Sequence, residues 1–514
     1  MMKREQTSNL SSPGTNSRRL HRLLPSLNDL LMTSGFQGLL QSHSRSTVVH
    51  AAREVLAEIK HEISVGEHTP ASLTARLANL LNAIVDELNE ASRFSLRQVI
   101  NATGVILHTN LGRAPLSQSA LDHIVEVAKG YCNLEFDIES GERSRRDIHA
   151  EALIRRTLMI KTGAAAEGAL KAMRALIVNN CAAATFLALN SLAEEAEVIV
   201  SRGELVEIGG GFRVPEILAK SGAVLREVGT TNKTRVSDYE NAITPQTALI
   251  LRVHQSNFSI EGFTERPTLQ DLVSLGRERS VPVFEDQGTG LIFSLEQYGI
   301  AAEPTLLESF SRGADLIAAS GDKLLGGPQC GILVGRNDLI ERIMKNPLLR
   351  AFRADKLTYA ALEATLMDHL SEKASSIPVR RMLNSSPAEI SERCRVVADE
   401  VRSSEFQADV VSVMSVIGGG TAPGARLQSS AVSLRHATVE AQMLLRSLRC
   451  MEPPVIGRIS DDRVLLDLRT VEPEFDSKLI ILLKEQRAGA NFTQDHGFDS
   501  EEESPGCHRS LNPS

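Results

Sequence analysis

Between Val99 and Gly335, short β-branched and aliphatic runs alternate with longer helical stretches, and this alternation limits the fold more than any other feature of the chain. The runs are Leu176-Ile177-Val178, Val198-Ile199-Val200, Val224-Leu225, Leu249 to Val253, Val281 to Phe284, Leu316-Ile317 and Ile332-Leu333-Val334. Strands separated by helices give a largely parallel sheet covered on both faces. Polar or glycine-rich residues directly follow the runs: Asn179-Asn180, Ser201-Arg202-Gly203, His254-Gln255-Ser256-Asn257, Glu285-Asp286-Gln287-Gly288 and Ser320-Gly321-Asp322-Lys323. Ligands of open α/β sheets bind beyond the carboxyl ends of the strands, so these segments form the expected site. The fold class expected for residues 93–375 is α/β, with a mostly parallel sheet.

The flanks have a different texture. Residues 1–22 are rich in Ser, Asn, Thr and Arg and read as lacking fixed structure. Residues 23–92 read as a small helical domain, with Ile59, Ile63, Leu73, Leu77, Leu80, Leu81 and Ile84 at three- and four-residue spacing and a helix start at Thr69-Pro70. From Lys3 to Arg97 there are 11 basic and 9 acidic residues, against 56 and 64 in the whole chain of 514 residues, whose net charge is −8. That contrast is too small to identify a nucleic-acid binder by itself. Residues 376–485 read as a small α+β domain, with a helix near 388–404 and a hairpin from Val455 to Leu468 turning at Asp461-Asp462. Residues 486–514 have the composition of an unstructured tail. No apolar run approaches the ~18–20 residues that span a bilayer. The cysteines (Cys132, Cys181, Cys330, Cys394, Cys450, Cys507) form no Cys-x-x-Cys pair. A soluble, cytoplasmic protein without a disulfide framework or thiolate zinc site is expected.

Three elements carry chemistry. Lys323 follows the Leu316 run by a few residues and precedes a glycine-rich turn. A lysine desolvated in a cleft has a lowered pKa and a nucleophilic amine, as a Schiff-base lysine requires, whereas most loop lysines are simply solvated. Asp286 ends an apolar run 37 positions earlier. A carboxylate there would keep the ring nitrogen of pyridoxal phosphate protonated, or would merely cap the following turn. Asn180, Cys181 and Ala182 open a helix whose first amides can hold a phosphate, although asparagine at that place is commonly an N-cap. Ser320 could donate to the same phosphate, and His254 could border the cofactor ring or serve structure alone. Gly209-Gly210-Gly211 and Gly418-Gly419-Gly420 lack the Lys-Ser/Thr of a nucleotide P-loop. No cluster has metal-ligand spacing, so no metal is expected.

Several long motifs resemble a known family. They are Val99 to Ser117 (VINATGVILHTNLGRAPLS), Val200 to Gly210 (VSRGELVEIGG), Glu227 to Thr234 (EVGTTNKT), Ser320 to Gln329 (SGDKLLGGPQ), Arg350 to Lys356 (RAFRADK) and Pro454 to Asp461 (PVIGRISD). Together they are similar to the bacterial selenocysteine synthases, the L-seryl-tRNA(Sec) selenium transferases, over roughly Leu23 to Leu483. The resemblance implies a fold-type-I, aminotransferase-like enzyme with pyridoxal 5'-phosphate on Lys323. Its substrate would be L-seryl-tRNA(Sec), converted through a dehydroalanyl-tRNA to L-selenocysteinyl-tRNA(Sec) with selenophosphate as donor. It further implies Asp322 as a catalytic acid or base. Arg113, Arg350 and Arg353 would bind the selenium donor, with Arg146 as a basic residue nearby. Arg350 and Arg353 are three apart, which on a helix would give them one face. The helical N-terminal domain would grip the tRNA, and the chain would assemble as a homo-oligomeric ring of dimers, a decamer in the family. Four residues depart from the usual pattern: Cys181 (for Asn), Gln287, Thr289 and Cys330; Cys181 would expose the site to oxidation. Extra residues also lie around 165–174. Two alternatives are a related pyridoxal-dependent lyase of a small amino acid or amino sugar, and a tRNA-binding protein without catalysis.

Overall fold

The computed structural model describes residues 13–162, 172–207, 213–300, 303–371 and 375–488. Of the segments singled out above, 1–12, 165–171, Gly209 to Gly211 and 489–514 lie outside the described residues. Two compact units divide after Gln98.

The first unit is helical: Pro13–His21, Leu27–Leu31, Ser34–Ser42, Arg45–Val65, Pro70–Ala78 and Leu80–Ser92. Arg45–Val65 buries Val48, Ala52, Val55, Ile59 and Ile63, an apolar stripe at helical spacing, and stops at Gly66 in the left-handed conformation (φ 86°). Leu73, Ile84 and Leu88 from the last two helices complete the core. At the Thr69-Pro70 start, the Thr69 hydroxyl accepts the Ser72 amide N–H while Ser72 Oγ accepts that of Thr69. Residues 13–21 differ from expectation, because they form a helix within the segment read as unstructured. Leu20 explains it, for this one apolar side chain is only 3% exposed and belongs to the same core.

The second unit opens with β1 (Ile100–Asn101) and continues with β2 (Met173–Val178), β3 (Glu197–Ser201), β4 (Val224–Val228), β5 (Thr247–Val253), β6 (Val283–Asp286), β7 (Leu316–Ser320) and β8 (Gly331–Arg336). Strands β2 to β8 form a seven-stranded sheet in the order β2-β8-β7-β6-β5-β3-β4. Six of the seven expected runs lie within its strands, and the seventh, Val281 to Phe284, enters β6 only at Val283. Only β8 is reversed, antiparallel to both β2 and β7. Ten residues join Ser320 to Gly331, too few for the crossover that a parallel neighbour needs. Alternate residues face two separate cores: Ile199, Ile250 and Ile317 one of them, Val198, Leu249 and Leu316 the other. Period-two alternation between two apolar layers is the mark of a sheet covered on both faces.

The small domain consists of β9 (Phe406–Val416), β10 (Arg426–His436), β12 (Arg458–Ser460) and β13 (Arg463–Asp467) in one antiparallel sheet. The helices Pro387–Val401, Ala441–Arg449 and Asp476–Ala488 pack on it, the last running slightly into the segment read as tail. The hairpin turn at Asp461-Asp462 is present, both residues having positive φ (50° and 55°). Its first arm is shorter than expected, because β11 (Val455–Ile456) pairs instead, in parallel, with β1. Ile100 and Ala102 are thereby buried in the small domain's core, so that domain is not one continuous segment from 376. Between β9 and β10 the chain packs into the core beside the main sheet and meets the segment after β1, whose Ile106 and Leu107 amides donate to the carbonyls of Val416 and Ile417. No described helix is long and apolar enough to cross a membrane.

Candidate active site

A cavity of about 310 Å³ opens beyond the carboxyl ends of β2, β5, β6 and β7, and it is lined by Lys323, Asp322, Asp286, His254, Ser320, Asn180, Cys181, Ala182 and Arg113. Nine of the twelve predicted site residues therefore meet at one place, the position expected for a ligand of a doubly covered sheet.

The helix Cys181–Ala193 begins directly after β2 and organises one end. Asn180 is its N-cap: the side chain accepts the Ala183 amide N–H at 2.8 Å, so that side chain is committed to the helix. The first-turn amides of Cys181 and Ala182 have no intrahelical acceptor, and they stand at the positive end of the helix dipole beside the cavity. Gly331 makes this arrangement possible, since a Cβ there would sit 2.1 Å from the Asn180 carbonyl oxygen.

One turn further, the same helix reaches Asp286. Thr185 Oγ1 donates to Asp286 Oδ2 at 2.9 Å, and Cys181 Sγ lies 3.7 Å from Oδ1. Residues 181 and 185 share a helix face. Sequence reasoning missed Thr185, although its i+4 spacing from Cys181 was the available signal. Burial pushes the Asp286 carboxyl above its ordinary range, opposed by the Thr185 hydrogen bond and the Lys323 charge. Burial also raises the Cys181 thiol, and the Asp286 charge adds to this. A protonated thiol is a poor nucleophile, contrary to the oxidation sensitivity expected there.

Lys323 is 6% exposed and its amine is held below the ordinary lysine value, chiefly by burial. The neighbouring Asp322 is also buried, and its Oδ2 accepts from Arg113 Nη1 at 2.7 Å. Arg113 is delivered by two successive left-handed residues, Gly112 (φ 89°) and Arg113 itself (φ 62°). Ser320 is buried at the end of β7. Gln287 is fully buried, its side-chain oxygen accepting the Gly290 amide N–H and its nitrogen donating to Thr289 Oγ1 and the Pro304 carbonyl. The Gln287 side chain thereby staples the loop after Asp286.

Arg146, Arg350 and Arg353 do not line the cavity. Arg146 and Arg353 converge on Glu135 Oε1, through Nε at 3.0 Å and Nη1 at 3.2 Å respectively. Arg350 is exposed on a four-residue helix, Leu349–Phe352. The shared helical face expected for Arg350 and Arg353 is absent, because Arg353 is already extended (φ −64°, ψ 129°). The cause is pairing with the end of β2: the Asn179 amide donates to the Phe352 carbonyl, and Arg353 bridges Val178.

A buried amine, a half-buried carboxyl and a helix N-terminus around one cavity fit the three binding requirements of pyridoxal phosphate: a carbonyl carbon, a ring nitrogen and a phosphate. A solved structure described as a D-glucosaminate-6-phosphate ammonia-lyase matches with a TM-score of 0.51 and 19% identity, covering 76% of this chain and 95% of that one, a likeness of fold. The L-seryl-tRNA(Sec) selenium transferase of Aquifex aeolicus is 45% identical over 426 residues, 82% of this chain and 90% of its own length. That of Geobacter metallireducens is 44% identical over 456 residues, 88% and 96% respectively. With residues 99–472 also matching the model of that family, described as L-seryl-tRNA selenium transferase, the chain belongs to the L-seryl-tRNA selenium transferase family.

Proposed function

We propose that this chain converts L-seryl-tRNA(Sec) to L-selenocysteinyl-tRNA(Sec) with selenophosphate as donor and pyridoxal 5'-phosphate as cofactor, in the cytoplasm. The observation that carries this reading is the meeting of Lys323, Asp322, Asp286 and the Cys181 helix terminus in one cavity of a chain from this family. When bound, pyridoxal phosphate supplies an electron sink for the charge that develops at the seryl Cα.

The residues divide the remaining work. Lys323 would hold the cofactor through its amine and, once released, take the Cα proton, for which a neutral amine is the right form. The burial that lowers its pKa favours that form. Asp286, held by Thr185, would keep a proton on the ring nitrogen. The amides of Cys181 and Ala182, with Ser320, would hold the phosphate. Asp322, its carboxylate oriented by Arg113, would relay to the departing β-hydroxyl the proton that Lys323 takes from Cα. Arg113 is the cation of the donor set within reach of the cavity, and a guanidinium suits a planar pair of selenophosphate oxygens. Arg146, Arg350 and Arg353 would serve the donor in a homo-oligomer, where a second copy completes the site. The helical first unit would bind the tRNA by shape and phosphates.

A pyridoxal-dependent lyase of a small amino acid or amino sugar would share the fold, but the family match favours the tRNA substrate. A non-catalytic tRNA binder would have no use for the buried amine. The test is the visible absorption spectrum of the purified protein before and after borohydride, beside a Lys323→Ala variant. A yellow band that borohydride traps on Lys323, absent from the variant, is the expected result. A protein that stays colourless with added pyridoxal phosphate would refute the reading.

A further inference from the structure

Glu303 belongs to no motif, yet each of its carboxylate oxygens is engaged. The side chain is 5% exposed; Oε2 lies 2.6 Å from His254 Nε2, and Oε1 accepts the Ala422 amide N–H at 2.6 Å. These partners come from two sides: His254 lines the lysine pocket, and Ala422 lines an adjoining cavity that His254 also borders. His254 follows β5, and its own amide donates to the Asp286 carbonyl. Ala422 lies in the β9–β10 connection of the small domain, where Gly418, Gly419, Gly420 and Ala422 all have positive φ (75°, 66°, 68° and 45°).

The glycine turn that resembled no nucleotide loop thus has a place. A Cβ on Gly420 would sit 4.0 Å from Lys323 Nζ, so bare backbone of this turn approaches that amine. Glycine adopts this conformation without steric cost, but Ala422 does not. Such backbone persists where the surroundings over-determine it. Two contacts do so here: Glu303 on the Ala422 amide, and the Thr421 hydroxyl donating to the Gly418 carbonyl at 2.6 Å. On the opposite side, a carboxylate at Nε2 fixes both the ring orientation and the nitrogen that carries the proton.

We propose that Glu303 is a positioning residue that clamps His254 and the Gly418–Ala422 turn together around Lys323, holding both in the geometry that receives the cofactor and the seryl ester. The inference rests on the pyridoxal phosphate reading of this pocket.

The experiment compares wild type, Glu303→Gln, His254→Asn and the double variant. Glutamine keeps an oxygen for the Ala422 amide while removing the charge from His254. Pyridoxal phosphate affinity is read from the visible band, kcat and KM from seryl-tRNA turnover, and folding from Tm. Glu303→Gln is expected to weaken cofactor affinity and lower kcat by roughly 10–100-fold, the size of a lost charge-assisted hydrogen bond. KM for seryl-tRNA should stay unchanged. In the His254→Asn background the same substitution should add little, because residues acting as a unit are not additive. If Glu303→Gln lowers Tm, Glu303→Asp reads the same quantities with the charge kept and withdrawn by one methylene. Full cofactor affinity and kcat in a folded Glu303 variant, or losses simply additive with His254→Asn, would overturn the inference alone. A wild-type protein that takes up no pyridoxal phosphate would overturn the pocket's reading and the inference together.

Discussion

Lys323 keeps its amine in surroundings that disfavour the ammonium form, and burial is the largest cause. The unfolded chain therefore holds that proton more tightly than the folded one. The resulting cost is complete below the folded-state pKa and vanishes as pH approaches the ordinary lysine value of 10.5. In the cofactor-free protein, Lys323→Met should accordingly be more stable than wild type at pH 7, and the gap should close towards pH 10. Urea unfolding at both pH values reads it, and a pH-independent gap would show that the amine is not the source. The meeting of Lys323 and Asp286 at one cavity was legible because Asp286 ends a strand, Lys323 follows one, and each has a glycine close by. Thr185 and Glu303 were not, since what defines them is a partner brought close by the fold: Asp286 across 101 positions, His254 across 49. Arg353 misled for a related reason, because its spacing from Arg350 holds on a helix and the helix stops one residue too early.

Strands and helices take their positions from contacts that single side chains permit. Gly331, the first residue of β8, lets that strand pass against the cap of the Cys181 helix. Gly331→Ala should displace Asn180 and cost about 1–3 kcal/mol of stability, the usual range for overpacking. It should also weaken pyridoxal phosphate affinity, measured by titration of the visible band; a drop in Tm with affinity intact would mean the helix terminus does not hold the phosphate. Glu204 plays a comparable part between strands, for it follows β3 and its Oε2 accepts the Val253 amide N–H at the end of β5. Burial raises its carboxyl from 4.5 to about 7. Since the folded pKa is the higher, this contribution to stability is full below pH 4.5 and is lost as pH rises through about 7. Glu204→Gln, which keeps an acceptor, should therefore gain on wild type between pH 5 and 8, by up to about 3 kcal/mol. Equal differences at the two pH values would contradict it. The seven short apolar runs were legible because each sits between helical stretches and most are followed directly by polar or glycine-rich residues. The β1–β11 pairing was not, as two residues carry no period and register comes from neighbours distant in sequence.

At the scale of the whole molecule, the two units have separate cores: Leu20 to Leu88 supply one, and residues from Ile100 onward supply the others. The texture change near Val99 made that division readable, because helical spacing ends there and strand runs begin. Every cavity-lining residue named above belongs to the second unit. A chain beginning at Val99 should thus fold, bind pyridoxal phosphate with full-length affinity and be reduced on Lys323 by borohydride. It should also lose most of its affinity for seryl-tRNA, since the helical unit proposed to bind the RNA is gone. Filter binding at two salt concentrations separates the outcomes, because each lost phosphate contact flattens the dependence of affinity on salt. A truncated chain with unchanged tRNA affinity and salt slope would move RNA recognition into the second unit, beside the chemistry. Loss of tRNA binding with the lysine still reducible would instead make the first unit the device that brings a macromolecular ester to a pocket sized for a small cofactor.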